Sequence, residues 1–145
     1  MARPAFQTAM RAAAVTLLTD YKNDAGVRLQ VYRGRPASIH PPTAFVDELS
    51  ESITYTALHQ RIPTASVVVL HGIFDHGDTV DQRDAFVDGF VDWVLDRYHA
   101  AGANTLIAVT DVNDDPAFVP EWLPPDQQKT YYATRITLEG LALNG

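Results

Sequence analysis

The sequence predicts a single α+β domain spanning residues 1–145, with a mostly antiparallel or mixed sheet of about four to six strands and two helices packed on one face. Three observations lead there. Two stretches repeat apolar residues at three- and four-residue steps, and several shorter ones alternate apolar with polar or run apolar throughout. The 145 residues are enough to bury one core but too few for two ordinary ones. Finally, the order helix, several strands, helix, two strands favours helices segregated to one side of a sheet over a regular alternation of strand and helix.

Taken in order, Pro4 suits a first helical turn, where a missing N–H costs little. Phe6, Met10, Ala13, Ala14, Leu17 and Tyr21 then form an apolar stripe, and Asn23, Asp24 and Gly26 end the helix. Val27 to Arg33 alternates Val27, Leu29 and Val31 with Arg28, Gln30 and Tyr32, as a half-buried strand does, before Gly34 and Pro36 stop it. His40, Pro41 and Pro42 make a stiff connector, because each Pro fixes its own φ and restricts the residue before it. Thr43 to Leu49 and Ser52 to Leu58 read as two short strands. The run Val67, Val68, Val69, Leu70 within Ala65 to Leu70 marks a strand covered on both faces.

A polar loop follows His71 and Gly72, and Thr79 with Gln82 has the spacing of a capping box at a helix start. The second helix runs to about Ala100 and ends at Gly102. Phe86, Val87, Phe90, Val91, Val94, Leu95 and Tyr98 fall on one broad side of it, opposite Asp81, Asp84, Asp88, Asp92 and Asp96. Leu106 to Val109 is another strand, Asp114 to Asp126 an ordered protruding loop rich in Pro and Asp, and Thr130 to Leu143 contains the last strand.

Composition narrows function. Eleven Lys plus Arg against eighteen Asp plus Glu give a net charge of -7, which opposes wrapping by nucleic acid and adhesion to anionic lipid. No cysteine is present, which excludes disulfides, thiolate zinc sites and a cysteine nucleophile. No stretch approaches the roughly 20 apolar residues of a membrane span, and Gln7, Thr8, Arg11 and Thr16 interrupt the amino-terminal run that a signal peptide would need. The expectation is a soluble protein of the cytoplasm.

Candidate chemistry is sparse. Val67 to Gly72 resembles the oxyanion turn of an α/β-hydrolase, but none of Ser38, Ser50, Ser52 or Ser66 sits in a Gly-x-Ser-x-Gly elbow. His71, Asp75, His76 and Asp78 carry imidazole and carboxylate donors that suit a divalent ion, though without a metal-binding spacing, so no metal or other cofactor is expected. Asp111, Asp114 and Asp115 lack the asymmetry of environment that separates a general acid from a general base. No phosphate-cradling glycine loop is present.

Assembly features are stronger. Asp84, Asp88, Asp92 and Asp96 stand four apart with no Lys or Arg at that spacing, and each such like-charge pair costs roughly 0.2 to 0.5 kcal/mol. The stripe is a plain solvated face, or it meets the arginines of a neighbouring copy, or it lines a channel through which DNA slides. Arg33 and Arg35 flank Gly34 and can solubilise a strand end or pair with a neighbour's carboxylates. Trp122 is a local core plug or an interface anchor.

Five segments carry a resemblance across nearly the whole chain. They are Val31-Tyr32-Arg33-Gly34-Arg35-Pro36, Pro41-Pro42-Thr43-Ala44-Phe45-Val46-Asp47, His71-Gly72-Ile73-Phe74-Asp75, Gln82-Arg83-Asp84-Ala85-Phe86-Val87-Asp88-Gly89-Phe90 and Tyr131-Tyr132-Ala133-Thr134. In pattern and order they are similar to the tail terminator proteins of long-tailed bacteriophages, especially those of actinobacterial phages. That resemblance implies a homo-oligomeric ring, commonly a hexamer, at the head-proximal end of the virion tail. The ring stops polymerisation of the tail tube protein, offers a surface to a head-tail connector protein, and lets genomic DNA through its lumen without specific binding. It implies no catalytic residues. A head-completion or minor tail connector subunit would share these features; a small metal-dependent hydrolase using His71, Asp75, His76 and Asp78 is the more distant alternative.

Overall fold

In the computed structural model, which describes residues 6–55, 59–73, 77–101 and 107–140, helix α1 (Phe6–Ala25) leads into strands β1 (Gln30–Tyr32), β2 (Thr43–Tyr55) and β3 (His59–Ile73). Helix α2 (Gly77–Ala101) follows, then β4 (Ile107–Phe118), a single 3-10 turn at Pro125–Gln127, and β5 (Tyr131–Gly140). The five strands form one mixed sheet in the order β1-β2-β3-β5-β4; only the β1 and β2 pair is parallel. This is the expected α+β architecture. Pro4, residues 56–58, Leu106 and 141–143, which the sequence places in elements, lie outside the described residues.

Helix α1 buries Met10, Ala14, Leu18 and Tyr21 completely or nearly so. Leu18 rather than Leu17 is the fully buried leucine, because the steps 10, 14, 18, 21 keep one face toward the sheet. The helix closes on Gly26, whose φ of 67° allows the Val27 N–H to reach back to the Lys22 carbonyl at 3.2 Å. Helix α2 buries Val87, Phe90 and Val94, whereas Leu95 is 46% exposed. It begins two residues before Thr79, so Thr79 is not its cap. Instead the buried Thr79 hydroxyl donates to the Ile73 carbonyl at 3.0 Å and ties the helix to the end of β3.

Four strands differ in extent from expectation. β3 runs from His59 to Ile73 rather than only from Ala65 to Leu70. The strand expected from Val27 is ordered as β only over Gln30–Tyr32, although Val27 and Leu29 still pack into the core. The two short strands expected at 43–49 and 52–58 are one thirteen-residue strand, β2, that passes through a bulge between Val46 and Glu48. The protruding loop expected from Asp114 starts only after Phe118, since β4 continues as an edge strand that accommodates Pro116 beside a bulge between Asp115 and Phe118. The remaining loop folds back onto the sheet, with Pro120 and Leu123 buried.

Both helices cover the same face: α1 packs over β1, β2 and β3, and α2 over β3, β4 and β5. The main core lies there, with Met10, Leu18, Phe90 and Val94 against Val46, Val67, Val69, Ile136 and Leu138. Each such side chain stabilises the fold by about 1.5 to 3 kcal/mol relative to exposure. The two helices meet at Tyr21, whose ring lies edge-on to Phe86, Phe90 and Trp93 at centroid distances of 5.6, 5.3 and 5.6 Å. Gly89 makes that approach possible, since a Cβ there would lie 2.6 Å from the Tyr21 hydroxyl oxygen. On the opposite face a smaller cluster of Phe45, Val68, Leu70, Tyr131 and Ala133 is capped by Ile39, Phe118 and Trp122.

Candidate functional site

Because Val87, Phe90 and Val94 turn inward, the positions between them turn outward, and Asp81, Asp84, Asp88, Asp92 and Asp96 are all exposed. Arg83 neutralises Asp84 at 3.0 Å. Among the described residues no cation pairs with Asp88, Asp92 or Asp96. Three carboxylates therefore stand uncompensated over two turns, on the side of the molecule that the helices form.

Arg35 and Trp122 come together on the other face of the sheet. The β2 bulge turns Asp47 under the chain that leaves β1, where its nearly enclosed carboxylate receives Arg35 Nε at 3.1 Å and an Arg135 guanidinium nitrogen at 3.0 Å. The same Arg135 nitrogen also donates to Ser66 Oγ at 2.8 Å. The Arg35 guanidinium lies 5.2 Å from the Trp122 ring centroid, and Trp122 Nε1 donates to the Pro36 carbonyl at 2.8 Å. An open groove of about 410 Å³ passes this cluster, its walls extended by Phe118 and by the carboxylates of Glu48, Asp115 and Glu121. Trp122 is thus a plug over Phe45, at 5.3 Å between ring centroids, and Arg35 is paired within its own chain. Arg33 does not join them: it is exposed, and its carbonyl accepts a hydrogen bond from Arg11.

A third cluster joins four elements, α2, β3, β4 and β5. His71 Nε2 lies 2.9 Å from Thr134 Oγ1, and Asp114 accepts from Arg83 at 2.8 Å, Tyr132 at 3.1 Å and Thr134 at 3.4 Å. Burial pushes the His71 pKa down to about 4, the nearby Arg83 charge adds to that, and Asp114 and Asp84 oppose it. The imidazole is therefore neutral at neutral pH, and the residue is only 3% exposed, flanked by Phe86 and Tyr132. The cluster ties α2 to β4 and β5.

That geometry also separates the ligand set suggested by sequence. His71 sits in β3 and points to Thr134, Asp78 is exposed in the first turn of α2, and Asp75 and His76 lie outside the described residues. Among the described residues no group of three His, Asp or Glu side chains is arranged to hold a metal ion. Asp111 and Asp115 do not converge on Asp114 as a catalytic pair; Asp111 instead caps its own neighbours, accepting from Val112 N–H and Asn113 Nδ2. No described helix is long and apolar enough to cross a membrane.

Sequence reasoning missed Asp47 and Arg135, which lie 88 positions apart. The only available signal was Asp47 following the apolar run Ala44-Phe45-Val46, where a carboxylate has to find a partner if the strand stays buried. No protein-family model matches the chain, and no curated protein is significantly similar to it.

Proposed function

We propose that this chain is a structural subunit of the tail-terminator kind, which closes into a ring of six on the end of a phage tail tube, stops its growth and presents a surface for head joining. The observation that supports this reading best is the row of Asp88, Asp92 and Asp96, uncompensated among the described residues and exposed on a helix whose other side is fixed to the sheet. A solitary solvated helix gains nothing from such a row, since like charges four residues apart repel. In a ring whose lumen carries DNA the same row has a use: repeated around the axis, it repels phosphates and keeps the passing duplex from adhering. The net charge of -7 and the enclosure of the His71 imidazole fit a subunit that works by shape rather than by bond-making.

A closed ring needs head-to-tail contacts between two different patches. The Arg35, Asp47 and Arg135 cluster with its groove lies on the face opposite α2 and supplies charge of both signs for one of them. Tail tubes assembled with the wild-type protein are expected to stop at uniform length and accept heads. Asp88→Asn combined with Asp92→Asn leaves the unfolding midpoint within about 2 °C of wild type, or slightly above it, yet lowers infectious titre. The Lys pair at the same positions lowers it further by holding DNA in the lumen. Uniform tubes that join heads without the protein would overturn the reading, and unchanged titre in both double variants would return the row to plain solvent-facing charge.

A further inference from the structure

The sheet has two edges, and among the described residues only one of them is protected. Edge strand β4 carries Asp111, Asp114, Asp115 and Pro116 and two irregularities in its register, all of which discourage another strand from pairing. The other edge is different. β1 covers β2 only at Thr43–Phe45, and beyond the bulge the stretch Glu48–Tyr55 has no strand on its outer side among the described residues, no Pro, no Lys and no further bulge. Among the described residues β3 pairs with β5 only from Thr64 onward, yet its pairing with β2 continues to Tyr55 and His59. Among the described residues Glu51–Tyr55 and His59–Pro63 therefore form a two-stranded arm with no third strand beside it, a form that is marginal in water on its own. It exposes Ile53 at 52% and Tyr55 at 82%, both on the face that the helices occupy further along.

We infer that in the free protein two copies join through these arms, β2 against β2, antiparallel about a two-fold axis at Ser52. Opposed residues in a continuous sheet must share a face. The register centred on Ser52 meets that condition, overlaps residues 49–55 of both copies, and sets Tyr55 against Leu49 and Ile53 against Glu51 of the second copy. Centring on Glu51 would oppose two carboxylates directly. Despite the net charge of -7, an identical edge can approach here because Arg61 holds Glu51 through two bonds of 2.7 Å, leaving the overlapping stretch locally neutral. A two-fold pair does not fit the polar end of a tube, so on the tail-terminator reading, from which this last step alone follows, the arms separate before the ring closes.

Because the chain has no cysteine, single cysteines report on the pairing directly. Across an antiparallel pair, opposed Cα atoms lie about 4.5 to 5.5 Å apart, within disulfide reach, whereas Ser50 would lie about 14 Å from its counterpart. Under mild oxidation Ser52→Cys is expected to give a disulfide-linked dimer and Ser50→Cys none. Wild-type protein sediments at twice 16.0 kDa, and Ile53→Lys at half that mass with an unchanged circular dichroism spectrum. Wild-type protein that sediments as a single chain at its highest soluble concentration, or equal cross-linking of the two cysteine variants, overturns the pairing. A hexamer without the Ser52→Cys link also overturns it while leaving the ring reading intact; a linked dimer that after reduction never caps tubes does the reverse.

Discussion

Under the helices the sheet is closed by aliphatic side chains from all five strands, with Phe90 and Met10 seated between them, whereas its other face is only partly closed, by aromatic rings and then by the Arg35, Asp47 and Arg135 pairings. The first arrangement excludes water and holds the fold. The second leaves a groove with charges at its rim, and its components can be re-paired with another molecule at modest cost. Stability and the capacity to bind are thus assigned to opposite sides of a single layer of strands.

That division can be broken by substitution. Phe90→Ala, at a fully buried position in α2, is expected to lower unfolding free energy by about 3 to 5 kcal/mol in a urea titration. The helix face also contains a few buried polar groups, and one of them, His71, is acid-sensitive. The folded-state pKa of His71 is about 4 against 6.5 for a free imidazole, so between those values the unfolded chain binds a proton that the folded chain refuses. Stability therefore falls as pH drops through 6.5 and levels off near 4, a loss of up to about 3 kcal/mol. His71→Gln keeps a side chain able to meet Thr134 and removes this component. If wild type and variant lose stability in parallel over that range, the imidazole does not remain neutral in the fold.

On the opposite face the expected penalty is smaller. Trp122→Ala removes a half-buried ring, its bond to Pro36 and its stacking under Arg35, and should cost about 2 kcal/mol by the same titration. A cost equal to that of Phe90→Ala would mean that both faces bear the fold equally. Smallest is Gly89→Ala. Ala would ordinarily gain nearly 1 kcal/mol in a helix, but the added methyl meets the Tyr21 hydroxyl at 2.6 Å. With Tyr21 enclosed by Phe86, Phe90 and Trp93, a net loss of about 1 kcal/mol in thermal unfolding is expected, and pairing it with Tyr21→Phe should restore the gain.

The helices were legible because burying one side of a helix leaves a three- and four-residue rhythm, and the central strand because Val67 to Leu70 is enclosed on both faces. The outer strands were not legible in the same way. Where β2 leaves the body of the sheet, its residues Glu48, Ser50, Glu51 and Ser52 have no core to alternate against, and so they break one strand into two on paper. β4 carries Asp and Pro because one of its sides needs no ladder, and such residues ordinarily announce a loop. Of the candidate site, the row Asp84, Asp88, Asp92 and Asp96 was visible since four-residue spacing is local. The partners of Arg35, Arg135 and His71 were not, because they are brought close only by strand register across 12, 88 and 63 positions.

The position of β5 has a consequence for how the molecule is made. The last of these five strands to leave the ribosome is laid between β3 and β4, which otherwise do not touch as neighbours. A nascent chain that has reached only residue 130 holds both helices and four strands, yet its sheet is in two pieces with a slot between them. Completion must therefore wait until synthesis has passed Gly140, and a chain cut short before Tyr131 would leave the flanks of β3 and β4 open to whatever extended polypeptide arrives first.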